Sequence, residues 1–290
     1  MNRRALVLEA WANRAVAELD CGRLAAFHLP RRMARPLPGQ TVAINDRDEL
    51  SEVVPARNRF GRGDPRGRFK PIAVDLDQAM IVIAAKPAPS QDLIHRYLAA
   101  CHLCEVEPIV VVNKSDLEPP DQPPFRHLND LESLGYRVVH TQCRPSMDIA
   151  QLAGLLAGKT TLIAGQSGVG KTSLVNALVP DLQAQTGALS TVTGKGTHTT
   201  TSARLYRLAE GGWLIDTPGV WEYGLWTMSP RELVRGFPEF LPFQGQCRFR
   251  DCSHQHEPGC AIRDAAAAGE LPEFRFRAWL RLLDEQARLS

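Results

Sequence analysis

Residues 160–178 read TTLIAGQSGVGKTSLVNAL, and this stretch decides the fold. Thr160–Ala164 is a short apolar run with the character of a buried strand. Gly165-Gln166-Ser167-Gly168-Val169-Gly170-Lys171-Thr172 is a glycine-punctuated loop, and Lys171–Leu178 carries helical periodicity. A strand, a loop of the form GxxxxGK[ST] and a helix are the three parts that a phosphate-binding loop requires. The glycines let backbone N–H groups turn toward an anion, and the helix N-terminus adds its positive dipole end. Lys171 is placed to reach β- and γ-phosphates. The Thr172 hydroxyl is placed to bind Mg²⁺, and Ser173 lies beside it on the same first turn.

Working outward, the flanking chain alternates strand-like and helix-like segments. AVDLDQAMIVIAAK precedes a helical pattern, SQDLIHRYLAACHLCE, and EPIVVVNKSD is a second buried strand ending in a polar loop. LNDLESLG, YRVVHTQC and DIAQLAGLLA then read as helix, strand and helix. Such alternation predicts an α/β domain built on a mainly parallel sheet. Two further nucleotide motifs lie on it. Asn113-Lys114-Ser115-Asp116 ends a strand; its carboxylate can accept from the paired N1–H and exocyclic amino donors of guanine, whereas adenine presents an acceptor there. Asp216-Thr217-Pro218-Gly219 ends another strand, so that Asp216 can hold Mg²⁺ and the Gly219 N–H can face a γ-phosphate. The guanine motif comes first, the phosphate loop second and the Asp-x-x-Gly motif last. In an ordinary GTPase the phosphate loop leads and the guanine motif follows, so this order points to a circularly permuted GTPase. The permutation is physically allowed, because loops at the carboxyl ends of parallel strands converge on one edge whatever the order of synthesis.

Between the phosphate loop and Asp216 runs TVTGKGTHTTTSARL, with the polar, glycine-containing composition of a segment that orders on GTP binding. Thr200, chosen over Thr199 and Thr201, is the expected second protein ligand of Mg²⁺. Ras-type enzymes orient the attacking water with a Gln just after Asp-x-x-Gly, but Val220 and Trp221 stand here. His198 is the expected substitute, able to orient a water or accept its proton.

The chain has 290 residues, 44% of them hydrophobic and 23% charged, with a net charge of +2, the composition of an ordinary globular protein. No apolar run approaches the ~20 residues of a membrane helix, and the start MNRRALVLEAWANRA has no secretory pattern, so a cytoplasmic location is expected. Seven cysteines there imply metal rather than disulfides. Cys247-x₄-Cys252-x-His254-x₅-Cys260 supplies three thiolates and an imidazole, a closed tetrahedral set of the kind that holds a structural Zn²⁺. His256 is read as a bystander, and Cys101 and Cys104 as residues of a helix face. Arg57, Arg59, Arg62, Arg66, Arg68 and Lys70 crowd RNRFGRGDPRGRFK, which reads either as a mobile basic segment suited to phosphates or as a solvated linker. Upstream, RALVLEAW, AVAEL and QTVAIN suggest a small β-barrel or sandwich. The expected organisation is an OB-like β domain over 1–60, the permuted GTPase domain over 61–228 and a zinc-binding helical domain over 229–290.

Together NKSDL, GQSGVGKTSLVNAL, GKGTHTTTSARLY, IDTPGV and C-x₄-C-x-H-x₅-C resemble the RsgA-type small ribosomal subunit biogenesis GTPases, over roughly residues 71–287. The resemblance implies an N-terminal OB-fold, a central permuted GTPase domain and a C-terminal zinc domain. It implies GTP hydrolysis stimulated by the small ribosomal subunit, rRNA contact, GTP and GDP as ligands, and a catalytic role for His198. It also implies zinc on Cys247, Cys252, His254 and Cys260; a monomer is expected. The small-residue loop that usually contacts guanine stands here as Thr141-Gln142-Cys143. A metabolic kinase is a poorer fit, because of the guanine motif and the GTHTTT segment. A zinc-dependent nucleic-acid-binding protein with a structural nucleotide would show no turnover sensitive to Lys171.

Overall fold

The computed structural model describes residues 3–11, 13–45, 49–143, 146–147, 149–193, 203–217 and 223–289. The chain opens with β1 (Arg3–Trp11), β2 (Arg14–Leu19), β3 (Leu24–His28), β4 (Thr41–Ile44) and β5 (Leu50–Val53). They form a curled antiparallel sheet in the order β3-β2-β1-β4-β5. Alternation decides its core. Val7, Ala15, Ala17, Val42, Ile44 and Phe27 gather on one side with Leu50 and Leu29, the period of two that a half-buried sheet produces.

The basic stretch is not a structureless linker. It folds into a hairpin of β6 (Arg59–Gly63) and β7 (Phe69–Val74). Asp64 closes the turn: its carboxylate accepts from the backbone N–H groups of Arg66 and Arg68 at 2.8 and 2.9 Å.

The main body follows: β8 (Gln78–Ala84), α1 (Leu93–Leu103), β9 (Glu107–Asn113), α2 (Leu128–Ser133), β10 (Arg137–Cys143), β11 (Ser146–Met147), α3 (Ile149–Leu156), β12 (Thr160–Ala164), α4 (Lys171–Leu178), α5 (Leu182–Thr193), β13 (Arg204–Arg207) and β14 (Trp213–Asp216). The sheet runs β11-β10-β9-β8-β12-β14-β13, parallel except at the two edge strands. β8 precedes the phosphate-loop strand β12 by many residues, yet lies beside it. That adjacency is the permutation seen in space. Successive residues of the central strands serve opposite faces. Ile81, Ile83, Val110, Val112, Leu162 and Ile215 pack with α1. Met80, Val82, Ile109, Val111, Ile163 and Leu214 pack with α3 and α4. A strand buried on both sides is apolar wherever no polar partner is at hand, which is why AMIVIA reads as one run after the hydrogen-bonded Gln78.

The C-terminal segments are α6 (Pro230–Val234), a 3₁₀ turn over Pro238–Phe243, α7 (Ala261–Ala268) and α8 (Glu273–Leu289). Phe237, Phe240, Trp279 and Leu282 extend the α1-side core rather than forming one of their own. α8 is bound to α1 by charge. Arg281 forks onto Asp92 with Nε and Nη2 at 2.9 and 2.7 Å, and Arg96 pairs with Glu285. Arg275 is wholly buried, paired with Glu239, 2.7 Å from His95 Nδ1 and over the Phe237 ring at 4.4 Å. Burial and the facing guanidinium hold His95 well below its usual titration range, so it stays neutral and can accept from Arg275.

Breaking a buried pair strands the remaining charge, whereas an exposed pair is worth little. Arg275→Ala is therefore expected to cost about 3–5 kcal/mol in urea denaturation. Arg277→Ala, which removes the exposed pair with Glu273 on the same helix, should stay within about 0.5 kcal/mol.

Candidate functional site

The two principal motifs meet at one buried amide. Asn113 ends β9, and its side chain is 2% exposed. Its Nδ2 donates to the Val169 carbonyl in the middle of the phosphate loop at 2.8 Å, and its Oδ1 accepts from Thr141 Oγ1 at 3.1 Å. Gly170, at φ +96°, lies so close that a Cβ there would sit 2.2 Å from Asn113 Nδ2. Only glycine fits both the backbone angle and the space.

The other loop groups follow from this brace. Lys114 Nζ spans the site to the carbonyls of Gly168 and Lys86 at 2.7 and 2.8 Å. Ser115 N–H donates to Thr141 O at 3.1 Å, which fixes the turn and leaves the exposed Asp116 projecting beyond the strand. Gln166 Nε2 donates to Pro87 O at 2.8 Å and Ala88 O at 3.1 Å. The segment Lys86–Ala88 thus brackets both motifs. It was not singled out in sequence; the available signal is its position directly after β8, at the edge where the other loops emerge.

Lys171 opens α4, with Nζ at 2.8 and 2.7 Å from the carbonyls of Gly165 and Gln166. Burial lowers its pKa, and Asp216 opposes that shift. Burial raises the Asp216 carboxyl in turn, while Lys171 and Arg204 pull it down. Each charge makes the other's ionised form cheaper. Asp216 lies opposite Ile163 in the pairing of β14 with β12, so it leaves the sheet beside the phosphate loop. Thr172 and Ser173 are exposed on the first turn of α4. His198, Thr199, Thr200, Thr201, Pro218, Gly219, Val220 and Trp221 lie outside the described residues.

The Cys/His group is assembled as well. Ligand atoms of Cys247, Cys252, His254 and Cys260 all lie within 4.8 Å of one another, and His254 Nδ1 is 3.4 Å from the sulfurs of both Cys247 and Cys260. A tetrahedral ion with bonds of about 2.3 Å to sulfur and 2.0 Å to nitrogen would set that spacing near ~3.5 Å. Without a cation, burial first and the neighbouring thiols next push Cys252 up to about 12; a dication favours the thiolates. It is the one such group among the described residues. Cys101 and Cys104 are buried instead, and burial pushes Cys104 up to about 11, the behaviour of inert core thiols.

A phosphate loop on the central strand, a guanine motif on a strand that precedes it in sequence, and Asp216 on the far side together define a circularly permuted GTPase. Residues 53–226 match the RsgA GTPase family. The chain is 41% identical over 91% of its length to small ribosomal subunit biogenesis GTPase RsgA of Chromohalobacter salexigens, covering 75% of that protein. It is 37% identical over 99% of its length to RsgA 1 of Vibrio vulnificus, covering 84%. Among solved structures, YjeQ from Thermotoga maritima superposes with a TM-score of 0.77 at 29% identity, covering 99% of each chain. YloQ, described as a circularly permuted GTPase, gives 0.76 at 25%, covering all of this chain and 96% of that one. The chain belongs to the RsgA GTPase family and is a GTP hydrolase. A GTPase of this kind uses Mg²⁺ with GTP, and the Cys₃His group is of a type that binds zinc. No helix among the described residues is long and apolar enough to cross a membrane.

Because Asn113 holds the phosphate loop and Asp116 projects away from it, their loss should differ in kind. Asn113→Ala is expected to weaken GDP and IDP alike by about 10- to 100-fold, from the stranded Val169 carbonyl. Asp116→Asn should weaken GDP far more than IDP, which lacks the exocyclic amino group. Calorimetric titration of both ligands distinguishes the two patterns.

Proposed function

We propose that this GTPase assists late maturation of the small ribosomal subunit, and that the subunit stimulates its hydrolysis. The relatives in Chromohalobacter and Vibrio are named small ribosomal subunit biogenesis GTPases, which supports this reading. The observation that carries the nucleotide half of the reading is the Asn113–Val169 contact, which holds a guanine motif and a phosphate loop as one site.

In this reading the backbone N–H groups of Gly165–Ser173 wrap the phosphates and Lys171 neutralises their charge. Asn113, Lys114, Ser115 and Asp116 hold guanine, and Gly219 meets the γ-phosphate. Thr172, Thr200 and Asp216 would hold Mg²⁺, which supplies charge neutralisation at the β- and γ-oxygens. His198 orients the attacking water, the role for which Val220 and Trp221 have no suitable group. Cys247, Cys252, His254 and Cys260 hold one structural zinc. The protein acts as a cytoplasmic monomer on rRNA within the subunit, with modules over 1–60, 61–228 and 229–290.

The ordered basic hairpin supports coupling between RNA contact and nucleotide state. Its Gly63 N–H donates to Gly224 O at 3.0 Å, Thr227 N–H donates to Gly67 O at 2.7 Å, and Tyr223 donates its hydroxyl proton to Gly61 O. Phe69 meets Trp226 edge to face at 4.6 Å. A basic strand pair is thus fastened to the chain that leaves the Asp216 motif.

Purified protein should hydrolyse GTP slowly alone, and much faster with small ribosomal subunits but not large ones. His198→Ala should keep GTP affinity and lose most of the stimulated rate, by about 10²-fold or more. Stimulation by neither subunit would remove the ribosome from the reading and leave the GTPase. Metal analysis should find one zinc per chain, absent from Cys260→Ser; a full complement in that variant would refute the ligand set.

A further inference from the structure

The Cys/His knuckle carries an aromatic side chain that neither the cysteine set nor the core uses. Phe249 stands between the first two cysteines, in Cys247-Arg248-Phe249-Arg250-Asp251-Cys252, and is 41% exposed. Its position is fixed on both sides. Phe249 O accepts from Cys252 N–H at 3.3 Å, and Arg248 N–H donates to Gly259 O at 2.9 Å. The ring therefore projects from a pinned turn.

Arginines share its turn. The Arg248 guanidinium carbon lies 5.7 Å from the ring centroid, and Arg250 follows, exposed. Arg231 reaches across from α6 to donate to the Arg250 carbonyl at 3.2 Å, which brings a third cation to the same turn. Of the nearby acids, Glu257 is committed to the backbone N–H groups of Ser253 and His256 at 2.8 and 3.2 Å, and Asp251 is exposed. An open aromatic face among cations fits a partner offering flat π-surfaces between negative charges. Unpaired RNA has both. A regular RNA duplex would use the arginines but present no free base face. An apolar protein patch would use the ring but leave three guanidinium groups to be desolvated unpaired.

We propose that Phe249 is a stacking platform for one unpaired RNA base, with Arg248, Arg250 and Arg231 holding the adjacent phosphates. This rests on the reading of the chain as an rRNA-contacting GTPase and names the chemistry of one contact. Full-length protein loaded with a non-hydrolysable GTP analogue is titrated with labelled oligouridylate, and with an abasic oligomer of equal length and phosphate number, across a salt series. The wild type should bind the base-bearing strand about tenfold tighter. Phe249→Ala should abolish that preference while keeping the abasic affinity, and Phe249→Trp should restore it. Arg250→Ala should weaken both strands equally and reduce the salt slope by about one. A preference that survives in Phe249→Ala, or that Phe249→Trp fails to restore with zinc content intact, overturns the platform. So does loss of subunit binding in Phe249→Ala with the oligomer preference unchanged, which would assign the ring to a ribosomal protein. The ribosome reading fails separately: base preference without stimulated hydrolysis keeps the platform and removes the subunit, and stimulation without base preference does the reverse.

Discussion

One buried amide holds the nucleotide site in shape. A phosphate loop is a strained object, with backbone N–H groups turned inward and several glycines at positive φ. It keeps that shape only if something outside grips it. Asn113 supplies the grip by donating to Val169 O while Thr141 satisfies its carbonyl, so β9, β10 and the loop share a single hydrogen-bonded chain. Being buried, the amide cannot exchange these partners for water, and losing any one leaves an unpaired polar group. The guanine motif and the phosphate loop are therefore mechanically one unit, although they lie far apart in sequence.

The same reasoning extends to the C-terminal helices. α8 does not merely lie against α1. Arg281 holds Asp92 at the end of the segment whose other end brackets the phosphate loop through Gln166, and Arg275 fills the core between them with its charge paired. Geometric definition is what such pairs contribute best; an apolar replacement could match their stability without fixing a register. At the β13 edge of the sheet, Arg204 pairs with the buried Glu9 of the N-terminal sheet at 3.0 Å, and Arg207 pairs with Glu18. The sheet is thereby held through α1 on one face and through β13 at one edge.

Most of the central sheet was legible because burial on both faces leaves an unambiguous apolar run, and β8, β9 and β12 fall where those runs predict. The phosphate loop and the cysteine tetrad were legible because their chemistry fixes spacing as well as residue type. The hairpin was not. Its Arg, Gly and Pro content matches a solvated linker, and what orders it is a set of backbone bonds to residues 223–227, remote in sequence. β3 and β5 were missed because they are short and partly exposed, so the period of two is weak. Arg275 was hidden among several arginines in EFRFRAWLRLLDEQ; its burial depends on Glu239 and His95, which no local pattern announces.

The permuted order has a mechanical consequence. In an unpermuted GTPase the chain after the Asp-x-x-Gly motif returns to the sheet as its next strand. Here that strand, β8, has already been made, and the chain leaving Asp216 is free to run elsewhere. It runs to Tyr223, which stacks on Tyr97 of α1 at 4.1 Å and contacts the hairpin, then into α6 and the Cys/His region. Gly63 shows how tight this junction is, since a Cβ there would meet Leu225 O at 2.6 Å. A contact that close transmits displacement rather than absorbing it. The chain that follows Asp216 is thus, through residues 223–227, the tether of the basic hairpin, and it leads into the C-terminal helices. An unpermuted order would have spent that segment on the sheet.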